Sequence, residues 1–211
     1  VGVGGVGKTR LALQVAEEHG EVFADGVHFV PLAALSSMEL LPLAIADALG
    51  FSFRGSAPLQ EQLLGYLREK EMLLVLDNFE HLLYTGGKEN GVVRPVVEIL
   101  ERAPGVKLLV TSQERLNLRW EWLFEVSGLG LPTRSDLSGG NGEVENYGAV
   151  RLFLQAARRV KPGFELTAGE KPFVVRICRF LKGLPLGIEL AVTWLRISSC
   201  EEIAQKLEEG L

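Results

Sequence analysis

With 211 residues, of which 47% are apolar and 23% charged, the chain can bury the core of one large domain or two small ones. The formal net charge of −5 and the lack of a basic block argue against direct nucleic-acid binding by this segment. No run of 18 apolar residues occurs, which argues against a membrane span.

The first residues form the pattern G-x-x-x-x-G-K-[ST], as Gly2 to Thr9 read GVGGVGKT. Glycines allow positive φ and bring backbone N–H groups close to an anion, while Lys8 can reach the β- and γ-phosphates and Thr9 can ligate Mg²⁺. The apolar run from Leu11 predicts a helix whose N-terminal dipole favours the same phosphates. The alternative is a glycine-rich turn that matches by accident. The predicted nucleotide-binding residues here are Gly4, Gly5, Val6, Gly7, Lys8, Thr9 and Arg10.

Only Val1 precedes this loop, whereas such loops normally follow a buried strand. The chain also stops on a charged helix, Glu201 to Glu209. We therefore expect a first strand upstream and more protein on both sides.

Strands and helices are predicted to alternate up to residue 130, which favours an α/β doubly wound sheet. The predicted strands are Gly26 to Leu32, Met72 to Leu76, Val106 to Val110 and, as the last one, Trp122 to Val126. The predicted helices are Met38 to Leu49, Pro58 to Lys70 and Val92 to Ala103, with a loop over Thr85 to Gly91.

Residues 131–148 are polar and rich in Gly, Ser and Asn, and are predicted to form a linker. Residues 149–211 are predicted to form a helical domain with helices at Ala149 to Val160, Gly169 to Leu181, Leu184 to Ile197 and Cys200 to Glu209. The cysteines, Cys178 and Cys200, have no metal or redox spacing, which favours free thiols in a reducing compartment. We expect a cytoplasmic protein.

Asp77 ends the hydrophobic strand that begins at Met72, an arrangement typical of a carboxylate that holds Mg²⁺ near bound phosphates. Glu80 follows, and two interpretations of it stand: a catalytic carboxylate that activates water, or a helix N-terminal acid. Asn78 is the rival for positioning the water, and His81 is interpreted as a surface or capping histidine.

Thr111 and Ser112 end the next strand, where hydroxyls lie in the ligand crevice of such sheets. They either sense the γ-phosphate or cap the following turn. Arg115 and Arg119 either supply positive charge to a transition state or pair with surface acids. Trp120 and Trp122 are interpreted as core or interface anchors.

In these motifs the chain resembles the STAND-type P-loop ATPases, close to the NB-ARC group, and the resemblance covers nearly all of it. It is carried by Gly2 to Ala16, Leu73 to Leu83, Leu108 to Leu116, Ala149 to Val160 and Lys182 to Val192. The resemblance implies an α/β fold of the ASCE P-loop NTPase type, with a doubly wound parallel sheet in 1–130 and a small helical domain after it. The whole segment looks most like the ATPase core of a bacterial multidomain transcriptional or signalling regulator.

The resemblance implies ATP or ADP with Mg²⁺ as cofactors and a proline, here Pro185, against the adenine ring. It implies a closed ADP state, ATP exchange that opens a hinge within 128–148, self-association in the ATP state, and effector and sensor domains outside this chain. The family commonly has an arginine after the Thr-Ser pair, where this sequence has Gln113. Sensing of the γ-phosphate is then weak, or shifted to Arg115.

Three functions follow as hypotheses. The first is an ATP-binding signalling module that hydrolyses ATP slowly and acts as a conformational and oligomerisation switch. The second is a scaffold that binds nucleotide without turning it over. The third is a phosphotransferase acting on a small molecule, which the Gly-Leu-Pro-Leu helical segment disfavours.

Overall fold

The computed structural model describes residues 1–85, 93–133 and 144–210, so the predicted loop after Thr85 and most of the predicted linker lie outside the described residues. The described chain forms two compact units, one of residues 1–2 and 8–125 and one of residues 3–7 and 126–211. The predicted division into 1–130, 131–148 and 149–211 stays a prediction.

The first unit is built on a parallel sheet with the strand order β1-β2-β3, formed by β1 (Val27–Pro31), β2 (Met72–Asp77) and β3 (Val106–Val110). Its helices are α1 (Lys8–His19), α2 (Leu41–Ala48), α3 (Leu59–Leu67), α4 (Glu80–Thr85) and α5 (Arg94–Arg102). Short 3₁₀ turns lie at Gly20–Val22 and Met38–Leu40. The α/β class and the parallel sheet are confirmed.

The middle strand is buried on both faces, which is why its sequence is a continuous apolar run. Leu73 and Val75 pack with Ala12 and Ala16 of α1. The alternate side chains Met72, Leu74 and Leu76 join a second cluster with residues of α2, α3 and α5. Because successive side chains of a strand point to opposite faces, β2 supports helices on both sides.

The prediction of a last strand at Trp122 to Val126 is wrong, since the sheet of the described residues has three strands. Trp122 is 96% exposed and Phe124 is 70% exposed, so this segment has no buried face to anchor it as a strand. Trp120 is half-exposed as well, so the core interpretation of Trp120 and Trp122 is wrong, whereas the interpretation as interface anchors stays a prediction.

The second unit contains four α-helices in its described part, and their buried side chains form one apolar cluster. They are α6 (Gly148–Val160), α7 (Lys171–Phe180), α8 (Pro185–Thr193) and α9 (Cys200–Glu209), with 3₁₀ turns at Val144–Asn146 and Trp194–Arg196. A capping box between Ser199 and Glu202 starts α9. The predicted helical region after the sheet is confirmed.

Two backbone segments cross closely inside this second unit. Leu129 donates its N–H to the carbonyl oxygen of Gly183 at 2.8 Å. A Cβ on Gly183 would lie 2.3 Å from the carbonyl oxygen of Leu129, and Gly183 has φ +68°. The crossing therefore requires glycine at this position, and it fixes the chain just before α8 begins at Pro185.

Candidate functional site

The glycine-rich loop takes the backbone conformations that its sequence predicts. Gly5 has φ +74° and Gly7 has φ +101°, which side chains of L-residues rarely allow. Val6 is buried, and α1 starts immediately after the loop at Lys8. Lys8 donates from Nζ to the carbonyl oxygen of Gly2 at 2.7 Å. The loop thus ends at a helix N-terminus, where N–H groups without helical partners favour an anion.

Asp77 is the point at which three segments of the first unit meet. Thr9 donates its hydroxyl to Asp77 Oδ1 at 2.7 Å, although the two residues are 68 positions apart. Thr111 donates its hydroxyl to the same oxygen at 2.6 Å. The sheet register places Leu76 beside Val110, so the residues after them emerge side by side. The two residues predicted to hold Mg²⁺, Thr9 and Asp77, are therefore in direct contact.

Asn78 fixes the turn that leaves β2. It has φ +65°, and its N–H donates to Thr111 Oγ1 at 3.0 Å. The ring of His81 lies close to two carbonyl oxygens, with Nδ1 2.8 Å from Asn78 O and Nε2 3.0 Å from Leu35 O. His81 therefore connects this turn to the loop after β1. Asn78 Nδ2 lies 3.5 Å from His81 Nδ1.

Glu80 is the first residue of α4 and is only 9% exposed. Gln113 donates from Nε2 to Glu80 Oε1 at 2.9 Å. The other carboxylate oxygen, Oε2, is buried and has no hydrogen-bond partner among the residues that the structure describes. Buried polar atoms are usually paired, so an unpaired buried acceptor is an exception that calls for an explanation. Gln113 thus holds one oxygen of Glu80, and the other oxygen remains available as a hydrogen-bond acceptor.

The remaining predicted residues of the first unit fall into two groups. Ser112 is fully buried, and its Oγ accepts from the N–H of Glu114 at 3.2 Å, which is the turn-capping contact. Arg10, Arg115 and Arg119 are exposed. Among the described residues no ion pair joins Arg115 to Asp77 or Glu80.

Pro185 begins α8 in the second unit and is half-buried. The next residue, Leu186, donates its N–H to the carbonyl oxygen of Gly5 at 3.2 Å, and both residues belong to this unit. A Cβ on Gly5 would lie 2.8 Å from Leu186 Cβ. Gly5 is therefore fixed by its conformation and also by its contact with Leu186.

The donor atoms suit Mg²⁺ held jointly with phosphates. Thr9 and Asp77 offer a hydroxyl and a carboxylate oxygen, the hard donors this ion prefers. The described residues contain no group of three or more His, Cys, Asp or Glu side chains that could hold a metal ion. A small protein ligand set is normal for Mg²⁺ in nucleotide sites, because phosphates and water supply the rest.

Thr111 and Gln113 were not predicted in the roles that the structure gives them. Thr111 is the second donor to Asp77, and Gln113 is the partner of Glu80. The sequence does contain a signal for Thr111. Polar residues stand at the ends of the apolar strands β2 and β3, and neighbouring parallel strands end at the same edge of the sheet. Nothing in the sequence marks Gln113 as the partner of Glu80.

The chain is similar in sequence to proteins of Mycobacterium tuberculosis. It is 34% identical over 208 residues to the "Putative HTH-type transcriptional regulator Rv0890c", covering 99% of this chain and 21% of the regulator. It is 30% identical over 208 residues to the "Uncharacterized protein Rv0894", covering 99% of this chain and 48% of that protein. The chain thus spans about a fifth and about half of the length of these two relatives.

The fold is similar to a solved structure of the Aeropyrum pernix ORC2 protein, described as ADPNP-ADP complexes. The TM-score is 0.56 at 14% identity, over 99% of this chain and 60% of that protein. At this identity the likeness concerns the fold. No protein-family model matches the chain. Within the described residues, no helix has both the length and the apolar character needed to cross a membrane.

Proposed function

We propose that this segment is a nucleotide-binding regulatory module that takes ATP or ADP with Mg²⁺ and hydrolyses ATP slowly. The observation that carries the proposal is the 2.7 Å contact between Thr9 and Asp77. It brings the end of the phosphate-binding loop to the carboxylate at the end of β2. These are the two protein groups that hold Mg²⁺ in P-loop NTPases.

The roles of the loop residues follow from their chemistry. The backbone N–H groups of residues 4–10 and the start of α1 bind the phosphates, and Lys8 neutralises their charge. Thr9 and Asp77 hold Mg²⁺, which stabilises the charge on the phosphate oxygens when bound. Pro185 contacts the adenine ring, as the STAND family resemblance implies.

Glu80 is proposed as the residue that accepts a proton from the attacking water. Its Oε2 has no hydrogen-bond partner among the described residues, which leaves its lone pairs for an incoming proton. Asn78 holds the turn between Asp77 and Glu80 through its N–H bond to Thr111. Ser112 and Arg115 are assigned to nucleotide sensing by the family resemblance alone.

At the level of the whole protein, we propose a STAND-type switch within a multidomain regulator. The similarity to a protein named as an HTH-type transcriptional regulator supports this setting. Nucleotide exchange would change self-association, and effector and sensor domains would lie outside this segment. The nucleotides named for the ORC2 structure support ATP and ADP as the ligands. The proposed division is 1–130 for nucleotide binding, 131–148 for the linker and 149–211 for the helical domain.

The proposal is tested by measuring the binding of fluorescent ATP and ADP analogues to the protein after any bound nucleotide has been released and identified. Lys8→Ala removes the phosphate-binding ammonium group, and Lys107→Ala removes an exposed lysine of β3 as a matched control. We expect binding to weaken at least tenfold in Lys8→Ala and to stay unchanged in Lys107→Ala. Equal binding by both variants, or no binding by the unsubstituted protein, would overturn the proposal.

A hydrolysis assay separates the switch from the non-hydrolysing scaffold. Glu80→Gln keeps the size of the side chain and removes its basicity. A loss of turnover of about a hundredfold supports hydrolysis through Glu80. Tight nucleotide binding with no turnover in either protein supports the scaffold.

A further inference from the structure

Gln113 is an exposed residue whose amide contacts a buried carboxylate. We propose that Gln113 is a positioning residue for Glu80, a role that rests on the hydrolytic activity proposed above. Its N–H group holds Glu80 Oε1 at 2.9 Å and thereby leaves Oε2 as the oxygen that takes the proton from water.

The backbone around this pair is fixed from both sides. Phe79 is fully buried and donates its N–H to the carbonyl oxygen of Thr111 at 3.0 Å. Thr111 donates its own N–H to the carbonyl oxygen of Leu76 at 3.0 Å. Glu80 and Gln113 follow these anchored residues by one and two positions. The side-chain contact between them therefore connects two rigid strand ends.

The neutral amide is chemically suited to this task. A carboxylate that ion-pairs with arginine or lysine loses much of its ability to accept a proton, because the cation favours the charged form. Among the described residues no ion pair reaches Glu80. Gln113 orients the carboxylate by a hydrogen bond and brings no charge of its own. STAND proteins commonly have an arginine at this position. In this chain the neutral residue Gln113 positions Glu80 instead.

In the proposed hydrolysis, water is the second reactant besides ATP. The water oxygen forms a bond to the γ-phosphorus while one water O–H bond breaks and its proton moves to Glu80 Oε2. The bond between the γ-phosphorus and the β–γ bridging oxygen breaks, and ADP leaves with that electron pair. Glu80 then releases the proton to phosphate or solvent. Gln113 keeps Oε1 occupied, so that Oε2 remains the oxygen that accepts the proton.

The experiment compares steady-state ATP hydrolysis by the unsubstituted protein with that of Gln113→Met, Glu80→Gln and the double variant. Methionine matches glutamine in length and lacks the donor. Gln14→Met is the matched control, because Gln14 makes the same kind of bond at 2.8 Å to Glu18 on the exposed surface of α1. Nucleotide affinity is measured on every variant.

We expect Gln113→Met to lower kcat about tenfold or more, with KM and nucleotide affinity unchanged within twofold and Gln14→Met unaffected. If Gln113 acts through Glu80, the double variant is no slower than Glu80→Gln alone. An unchanged or increased kcat in Gln113→Met, or additive losses in the double variant, would overturn the inference and leave nucleotide binding standing.

The two proposals fail in different ways. An unsubstituted protein that binds no nucleotide refutes the proposed function itself. A protein that binds nucleotide and shows no turnover that Glu80→Gln reduces refutes the role of Gln113 and leaves the scaffold function.

Discussion

Thr111 donates its hydroxyl hydrogen to Oδ1 of Asp77 across 2.6 Å. The same hydroxyl oxygen accepts the N–H of Asn78, and the same carboxylate oxygen accepts from Thr9. One threonine side chain therefore fixes both the metal-binding carboxylate proposed here and the turn that leads to Glu80.

Replacing Thr111 with valine is expected to destabilise the protein by about 1–3 kcal/mol. Valine has a similar shape and removes the hydroxyl, which leaves the Asn78 N–H without its partner. Thr111→Ser keeps the hydroxyl and is expected to lose clearly less of the free energy of unfolding. Urea unfolding followed by circular dichroism measures both, and equal losses in the two variants would mean that the hydroxyl does not matter.

Thr9 is expected to determine how strongly Mg²⁺ increases nucleotide affinity. Thr9→Ala removes the hydroxyl that contacts Asp77, so the difference in ATP affinity between Mg²⁺ and EDTA should shrink about tenfold or more. Thr9→Ser keeps the oxygen and should retain most of the difference. Titration with a fluorescent ATP analogue under both conditions gives the ratio. A full Mg²⁺ effect in Thr9→Ala would exclude this residue as a ligand.

The elements of the fold could be predicted because their signals are local. The continuous apolar run from Met72 to Leu76 favours a strand buried on both faces, and the glycines of GVGGVGKT favour a turn with positive φ before a helix. The segment Trp122 to Val126 has the same apolar, β-prone composition, yet it forms no strand. Composition reports β-propensity, whereas a strand also needs a neighbour and a buried face.

Site residues could be predicted from the sequence only where a motif marks the position by its residue type. Asp77 and Thr9 are marked by motifs, and their contact accompanies the packing of α1 against β2. The bond between Gln113 and Glu80 depends on the lengths and rotamers of two side chains 33 positions apart, which no periodicity encodes. For Ser112 the sequence leaves sensing and capping open; its Oγ accepts the N–H of Glu114, a contact that fits capping, and its part in nucleotide sensing stays a prediction.

The backbone crossing in the second unit is expected to reject any side chain at Gly128. A Cβ there would lie 2.1 Å from the carbonyl oxygen of Lys182, so Gly128→Ala must displace the chain before α8. We expect a loss of about 1–3 kcal/mol in the free energy of unfolding. Gly130→Ala is the matched control, because a Cβ at Gly130 meets nothing within 4 Å. Similar stability of the two variants in urea unfolding would contradict the close crossing.

Cys178 and Cys200 are expected to be unreactive in the folded protein. Burial raises the pKa of the Cys178 thiol to about 12, and burial together with the Glu170 carboxylate raises the pKa of Cys200 to about 11. Because the thiolate is the reactive form, both groups should react with an aromatic disulfide reagent at pH 8 far more slowly than unfolded thiols. Two thiols should react at once in guanidinium chloride. Rapid reaction of either one in the native protein would contradict its burial.

The raised pKa values of the same two thiols predict that the stability of the protein falls as the pH rises in the alkaline range. The folded state keeps their protons, whereas the unfolded state loses them near the ordinary thiol pKa of 9.0. Their contribution to stability is therefore complete below about pH 9 and is lost as the pH rises towards 11 and 12. Unfolding by urea at a series of pH values should show this decline, and Cys178→Ala together with Cys200→Ala should reduce its slope. An unchanged slope in the double variant would assign the alkaline loss to other groups.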